Sequence, residues 1–300
     1  MDASDRPLRL RRAADVDEFD RLAGEFLRAR EAEHNLILGL CSSLRATRTT
    51  APRTRSVSAP PGLAPYFAVV ASTDEVVGAS MRTPPHGAIL SEMRDERAVD
   101  LVVDDLLGDA RDLPGVLGER RRALRFAERW TKYAQRAHRL KTSERIFQLT
   151  TVIAPQPVGG RLRIATAGDL DLVTQWFAGF IREALREDGS TAGAMADRWL
   201  NAPDRTLYLW EDGEPVSICG AAGRTPNGIR IGAVYTPPAL RGRGYASNCV
   251  ATASQAQLDS GLRHCFLYTD LANPTSNHIY RQMGYEPVCD VDEYRFEATP

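Results

Sequence analysis

A short segment of the C-terminal half, residues 234–246 (VYTPPALRGRGYA), combines glycines with arginines. A strand that passes through such a turn into a helix exposes backbone N–H groups at the positive end of the helix dipole. Gly242 and Gly244 would let a phosphate approach the backbone closely. Arg241 and Arg243 add positive charge. The segment therefore predicts a binding site for a pyrophosphate.

The residues around this turn predict the elements that position it. Three apolar stretches separated by turn residues are typical of an antiparallel meander, and they cover residues 206–210, 216–222 and 229–235. A helix is expected from about Gly244 to Ser260, and the unbroken apolar run at 265–268 predicts a central strand. A meander before the turn argues against a Rossmann dinucleotide site, whose longer glycine pattern is also absent.

The last helix of the chain has clear limits in the sequence. Asn273 is a good N-cap, Pro274 suits the first helical position, and Gly284 is placed to end the helix. Tyr280 lies on this helix, seven residues after Asn273. Residues 291–296 predict a final strand that closes the second half.

These motifs resemble the GNAT superfamily of N-acetyltransferases, and most closely its FR47-like branch. One family signature is Arg or Gln, two residues, Gly, one residue, then Gly or Ala. Its matches here are Arg241, Gly244 and Ala246. A second family feature is an Asn seven residues before a Tyr, followed by Gly and an aromatic residue. Its matches here are Asn273, Tyr280, Gly284 and Tyr285.

The resemblance implies an α+β sandwich with the acyl-CoA N-acyltransferase fold and acetyl-CoA as co-substrate. The loop would hold the CoA pyrophosphate, and the preceding strand would align the pantetheine and polarise the thioester carbonyl, as an oxyanion hole does. The implied cofactor-binding residues are Val234, Tyr235, Thr236, Arg241, Gly242, Arg243, Gly244, Tyr245, Ala246, Ser247 and Asn273. The implied catalytic residue is Tyr280, whose phenol would protonate the leaving CoA thiolate, because a thiol with a pKa near 8.5 is a modest leaving group.

The expected reaction is direct attack of a primary amine on the acetyl carbonyl, without a covalent enzyme intermediate. The acceptor and the oligomeric state are left open, and Glu183 and Glu211 are the candidates for a general base. The acids between residues 183 and 197 are compatible with a basic acceptor and equally with a solvated helix face. Two alternatives remain: a non-catalytic regulatory module that binds acyl-CoA, and the same transfer from a longer acyl donor.

The two halves of the chain resemble each other. Residues 8–28 match residues 162–182 without a gap, and the Gly-Ala and Arg-Thr-Pro pattern of residues 78–84 recurs at 220–226. Each copy of the first match is a short strand, a loop that ends in Asp, and a helix. Coincidence between unrelated domains is the alternative, but two matches in the same order favour a duplicated unit.

The duplication predicts two tandem copies of the fold. Residues 1–155 would form a degenerate N-terminal copy and residues 160–300 a catalytic copy that binds acetyl-CoA, joined by the Pro- and Gly-rich segment 154–160. The first copy has no glycine-rich arginine loop after Ala88. It is therefore not expected to bind CoA, and we expect it to act as a scaffold that forms part of the acceptor site.

The composition argues against several classes of protein. The 38 Lys and Arg residues balance the 39 Asp and Glu residues, so no net charge favours nucleic acid or an anionic membrane as a partner. A charged N-terminus and the lack of a long apolar stretch favour the cytoplasm. The five cysteines have no close pair and are expected to be free, mostly buried thiols, and no cluster predicts a metal site.

Overall fold

The structure is a computed structural model that describes residues 7–50, 64–73, 75–109 and 113–298. The first half contains β1 (Leu8–Arg12), α1 (Val16–Ala29), α2 (Asn35–Thr50), β2 (Tyr66–Ser72), β3 (Glu75–Arg82), β4 (Ala88–Met93), α3 (Arg97–Asp109), β5 (Gly115–Glu119), α4 (Arg120–Ala134) and β6 (Arg136–Leu149). The remainder contains β7 (Arg161–Ile164), α5 (Leu170–Phe180), α6 (Ala192–Asn201), β8 (Arg205–Asp212), β9 (Glu214–Ala222), β10 (Gly228–Tyr235), α7 (Tyr245–Asp259), β11 (His264–Asp270), α8 (Pro274–Gln282) and β12 (Glu286–Ala298). Among these helices, none has the length and apolarity needed to cross a membrane.

The chain forms two compact units. Unit 1 consists of Met1–Ile146, Asp270–Ala272 and Val288–Pro300, and unit 2 consists of Phe147–Thr269 and Asn273–Pro287. The change from unit 1 to unit 2 at residue 147 lies a few residues before the segment 154–160.

The final strand differs from its predicted place. The sequence predicts a strand at residues 291–296 as the last element of the second half, and β12 is indeed a strand. It pairs antiparallel with β5, with Val291 opposite Glu119, and this part of β12 belongs to unit 1. The alternation of residues predicts that a strand forms, but the choice of partner depends on long-range contacts that a sequence pattern does not encode.

Unit 1 is a sheet covered by helices on both faces. Strands β1 to β4 pair antiparallel, and β4 pairs parallel with β5. Neighbouring residues of β2 point to opposite faces, since Val69 packs with α1 and α2 while Val70 packs with α3 and α4. Asp15 caps the start of α1, because its carboxylate accepts hydrogen bonds from two backbone N–H groups, as the sequence predicts.

Unit 2 repeats the same order of elements. Strands β7 to β10 pair antiparallel, and β10 pairs parallel with β11. Ile218 and Cys219 are adjacent on β9 and fully buried, the first against α5 and α6 and the second against α7. Because β9 is covered on both faces, its residues from 216 to 222 are apolar or small, without polar alternation.

The internal repeat corresponds to equivalent elements of the two units. Residues 8–28 cover β1 and most of α1, and residues 162–182 cover most of β7 and all of α5. The patterns that begin at Gly78 and Gly220 lie on β3 and β9, the third strand of each unit. The predicted tandem duplication of one α+β fold is confirmed.

Candidate functional site

The carboxyl end of β10 departs from regular strand geometry. Gly232 pairs with Gly220 of β9, and the next pair is Tyr235 with Ile218, so β10 contains one extra residue, a β-bulge. Ala233 within the bulge has a φ of 50°, in the left-handed region that non-glycine residues rarely adopt. Bulges of this kind redirect a strand, and they are frequent next to active sites.

The opposite edge of β10 is only partly paired. In the part of the chain that the structure describes, β10 pairs parallel with β11 over three residue pairs. The first pair is Gly228 with His264, and the last is Arg230 with Phe266. Residues 231–235 therefore have no ladder partner on the β11 side within that part. Backbone groups at the end of β10 are left to bind a ligand, which is the position that the sequence predicts for residues 234–236.

The glycine loop follows this strand and leads into α7, as predicted. Gly242 and Gly244 have φ values of 75° and 81°, so both residues use backbone geometry that favours glycine. For the backbone N–H groups of residues 242–247, no acceptor is found among the described residues. Unpaired N–H groups at the start of a helix, where the dipole is positive, are suited to hold a phosphate.

The connector between the two halves supports this loop. The Asn248 side-chain amide donates to the backbone carbonyls of Gln156 and Gly244, each at 3.0 Å. A Cβ at Gly244 would lie 3.0 Å from Val158 of the connector. Asn248 is buried, and sequence reasoning overlooked it because one polar residue within a helical pattern gives no signal of what it contacts.

Arg241 contacts protein groups rather than extending freely into solvent. Its Nε donates to the carbonyl of Thr236 at 2.9 Å, and its Nη2 donates to Oε2 of Glu183 at 2.5 Å. Its guanidinium also lies over the ring of Tyr235, 5.7 Å from the centroid. The hydroxyl of Tyr235 donates to the other carboxylate oxygen of Glu183 at 3.3 Å. These three side chains form one connected cluster at the end of β10, which we call the Glu183 cluster.

The helical region after β7 brings Glu183 to this position. Glu183 lies in a single turn of π-helix, Ile181–Leu185, that directly follows α5. A Cβ at Gly179 would overlap the hydroxyl of Tyr235, so glycine makes room for the phenol there. Burial, together with the negative charge of Glu183, raises the pKa of Tyr235, which therefore stays protonated at neutral pH.

Hydrogen bonds to buried hydroxyls hold the end of β10. Thr236 Oγ1 lies 2.8 Å from Ser217 Oγ, and Ser217 also donates to the carbonyl of Tyr235 at 3.3 Å. The side chains of Val234 and Tyr235 pack against the cores on opposite faces of the sheet. The backbone of residues 234–236 is thus fixed before any ligand binds.

The remaining predicted loop residues lie where the motif places them. Arg243 is exposed and donates to the carbonyl of Ala239 at 3.3 Å. The Tyr245 hydroxyl donates to Asp212 at 2.9 Å, and this hydrogen bond raises the pKa of Tyr245. Ala246 and Ser247 lie in the first turn of α7.

Tyr280 lies on α8 and Asn273 directly precedes it, and the limits of that helix are as predicted. The Asn273 side chain accepts a hydrogen bond from the N–H of Ser276 at 3.0 Å and caps the helix. The hydroxyl of Tyr280 has no hydrogen-bond partner among the described residues, and its ring packs edge-on against Tyr285 with centroids 5.9 Å apart. Burial raises the pKa of Tyr280, so the phenol keeps its proton well into the alkaline range.

The two candidates for a general base have different surroundings. Glu211 accepts hydrogen bonds from Arg163 and Arg161, and the bond from Arg163 is the main cause of its lowered pKa. A carboxylate engaged in this way is a weak base. Glu183 accepts from one arginine, Arg241, and from the Tyr235 hydroxyl, within the cluster at the end of β10.

The corresponding turn in unit 1 cannot form the same anion site. Residues 94–96, between β4 and α3, include no glycine. The carboxylate of Asp95 accepts from the N–H of Arg97 at 2.9 Å and also bonds the Arg97 side chain at 2.7 Å. A fixed negative charge at the start of α3 would repel a phosphate.

Within the described part of the chain, no group of three or more His, Cys, Asp or Glu side chains is arranged to hold a metal ion.

Comparison with known proteins agrees with this geometry. Residues 170–285 match the model of the Acetyltransferase (GNAT) family. No curated protein matches the sequence.

Several solved structures share the fold over nearly the whole chain. A Drosophila protein is 14% identical with a TM-score of 0.65, and the match covers 97% of this chain and 99% of that one. A GCN5-related N-acetyltransferase from Sphaerobacter thermophilus is 18% identical with a TM-score of 0.57, covering 98% and 96%. A tandem GNAT protein from the clavulanic acid biosynthesis pathway is 14% identical with a TM-score of 0.50, covering 98% and 99%. At these identities the likeness concerns the fold.

Proposed function

We propose that unit 2 transfers an acetyl group from acetyl-CoA to a primary amine. The proposal is supported by the match of residues 170–285 to the model of the Acetyltransferase (GNAT) family. The family match supports an acyltransferase. The acetyl donor, the amine acceptor and the site residues are the proposal. A location in the cytoplasm, and the absence of nucleic-acid and membrane partners, stay predictions from composition.

One observation carries the proposal: the backbone N–H groups of residues 242–247 lack acceptors among the described residues. They lie at the start of α7, directly after the strand whose bulge and incomplete pairing leave backbone groups for a ligand. A pyrophosphate on the loop and a pantetheine arm along residues 234–236 would satisfy both sets of groups. The site would then combine phosphate binding with a strand backbone that can polarise a thioester.

The chemistry follows from the roles of these groups. The neutral amine attacks the acetyl carbonyl, and a C–N bond forms while the oxyanion is held by backbone N–H groups at the end of β10. The nitrogen then loses its extra proton to solvent, the C–S bond breaks, and Tyr280 donates its proton to the sulfur. A phenol with a raised pKa retains the proton until the thiolate forms, and it recovers one from solvent afterwards.

Two other functions share the same binding site. A regulatory module would bind acyl-CoA without turnover, because the fold alone does not ensure chemistry. A transferase for a longer acyl group would use the same loop with a different donor.

Replacing the phenol separates catalysis from binding. Tyr280→Phe is expected to leave the Kd for acetyl-CoA unchanged and to lower kcat by about 10²-fold, the usual contribution of a general acid. Thiol release from acetyl-CoA in the presence of primary amines measures turnover, and calorimetry measures binding. The matched control is Tyr208→Phe, which removes a phenol that accepts a hydrogen bond from Gln257 elsewhere in unit 2.

Each alternative has its own outcome. Binding without thiol release by any amine would favour the regulatory module. Faster release from a longer acyl-CoA than from acetyl-CoA would reassign the donor. Full turnover by Tyr280→Phe would remove Tyr280 from the mechanism.

A further inference from the structure

We propose that unit 1 contains a binding site for a small organic ammonium cation, in a cavity between the ends of β4 and β5. Every residue that lines this cavity belongs to unit 1. The inference goes beyond the proposed acetyl transfer and does not depend on it, because the proposed transfer takes place in unit 2.

The cavity lies where β4 and β5 separate. In the described part of the chain, their parallel pairing ends at Ile89 and Leu117. Beyond that pair, residues 90–92 of β4 and Glu119 of β5 line a cavity of about 270 Å³. The equivalent strands of unit 2 are β10 and β11, whose separation leaves the strand end of the proposed cofactor site. The same place in the fold therefore carries a different set of groups in unit 1.

The charged side chains that line the cavity are three glutamates and two arginines. Arg30 donates to both Glu33 and Glu92, so two carboxylates share one guanidinium. Arg122 donates to Glu119 at 2.6 Å. When all five groups are ionised, the lining has an excess of one negative charge.

Neighbouring charges outside the lining do not remove this excess. Arg94 lies 3.5 Å from Glu92, but it also donates to Glu75 at 2.8 Å, so Arg94 and Glu75 together add no net charge. Asp290 accepts from Arg145 at 2.6 Å and forms a neutral pair in the same way.

Glu33 has acceptor capacity that the protein does not use. Arg30 donates to one of its carboxylate oxygens, and no donor to the other oxygen is found among the described residues. The Glu33 side chain is only 17% exposed. Burial raises the pKa of Glu33, and the negative charge of Glu92 adds to the rise. A cation bound here would reduce the repulsion between the carboxylates and would donate to the remaining oxygen.

The rest of the lining indicates the class of ligand. Leu90, Val288 and Val291 supply apolar surface, which suits methylene groups. The described residues contain no group of three or more His, Cys, Asp or Glu side chains arranged to hold a metal ion, so the structure favours an organic cation. Drug-sized ligands occupy pockets of about 300–1,000 Å³, and this cavity is smaller. The ligand is therefore a short primary alkylamine in its ammonium form.

Calorimetric titration of butylamine at neutral pH, without acetyl-CoA, tests the site. We expect saturable binding by the wild type, and no binding of butan-1-ol or butyrate, which have the same carbon chain without a positive charge. Glu33→Gln should raise the Kd for butylammonium by about 10-fold, because a charge-assisted hydrogen bond is lost. The matched control is Glu25→Gln, at an exposed acid on α1, which should bind like the wild type.

Cys289 provides a readout that locates the ligand without a substitution. Its thiol group is on a residue that lines the cavity and is only partly buried, whereas the other four cysteines are buried. Burial raises the pKa of Cys289 to about 12, and the charge of Glu33 adds to the rise, so the two side chains lie near each other.

Methyl methanethiosulfonate at pH 9 transfers a methylthio group to the thiolate and releases methanesulfinate. Butylamine is still mostly an ammonium cation at this pH, because the pKa of a primary alkylamine is about 10.4. We expect butylammonium to slow the labelling of Cys289 several-fold, and butan-1-ol to leave it unchanged. Mass spectrometry of the peptide that contains Cys289 measures the rate.

Three results would each overturn the proposal. They are no binding of butylammonium by the wild type, equal Kd values for the wild type and Glu33→Gln, and labelling of Cys289 that butylammonium does not slow. None of them bears on acetyl transfer by unit 2, which thiol release from acetyl-CoA measures separately.

Discussion

Individual residues of the site differ in how far their contacts could be predicted. A local spacing predicts Tyr280 and the loop glycines as site residues, and these roles stay predictions. The partners of Arg241 could not be predicted, because Glu183 lies 58 positions away in the sequence and the two meet only through the fold of unit 2. The same holds for Asn248, whose contact with Gln156 spans 92 positions. Residue type and spacing therefore predict which chemistry is present, while the fold decides which groups meet.

The pKa of Tyr280 leads to a prediction about pH. Since burial raises this pKa above its ordinary value near 10, the phenol is protonated below that pH and remains able to donate. We expect kcat of the wild type to show no loss from the proton donor between pH 7 and about 10. Steady-state rates across this range check it. An alkaline decline below about pH 9 that disappears in Tyr280→Phe would show an acidic phenol instead.

At the scale of elements, strands and helices with clear limits were predicted well. The meander, α7, β11 and α8 all lie within a few residues of their predicted bounds, because turn residues and caps mark their ends. The bulge in β10 and the π-helical turn at Ile181–Leu185 were not predicted, since both are adjustments of regular elements to their neighbours. Glu183 lies in the π-helical turn and Tyr235 lies at the end of β10 after the bulge, so both irregular elements contribute a residue to the Glu183 cluster.

The entry into α5 allows a test of element stability. Asp169 accepts two hydrogen bonds from Arg163, at 2.9 and 2.7 Å, and one from the N–H of Thr166 at 2.7 Å. Arg163 is the main cause that lowers the pKa of Asp169 from 3.8 to about 2. Because the folded state favours the ionised form, its stabilising contribution is complete above about pH 4 and is lost as pH falls towards 2.

We therefore expect Asp169→Asn to lower the free energy of unfolding by about 1 kcal/mol at pH 7, with the difference from the wild type shrinking between about pH 4 and 2. Urea unfolding at several pH values measures this. Asp171→Asn, at a neighbouring exposed acid in the first turn of α5, is the control. Equal effects of both variants at every pH would show that the contacts of Asp169 contribute nothing specific.

At the scale of the whole molecule, the chain consists of two tandem copies of one fold with different binding potential. In unit 2, the N–H groups of the glycine loop at the start of α7 lack acceptors among the described residues. In unit 1, the carboxylate of Asp95 lies at the start of α3 instead. The internal repeat predicted the duplication. The pairing of β12 with β5 was not predictable, because a strand pattern does not specify its partner.

Calorimetric titration of acetyl-CoA into the 300-residue chain tests the central claim most directly. Gly242→Asp is the site variant and Gly261→Asp is its matched control. Both glycines are exposed, have positive φ values of 75° and 96°, and have open space where a Cβ would lie, but Gly242 lies in the loop before α7 and Gly261 lies after its far end. We predict about one acetyl-CoA bound per chain by the wild type and by Gly261→Asp, and loss of binding in Gly242→Asp, because the added carboxylate repels the pyrophosphate. No binding by the wild type, or equal binding by both variants, would contradict the account.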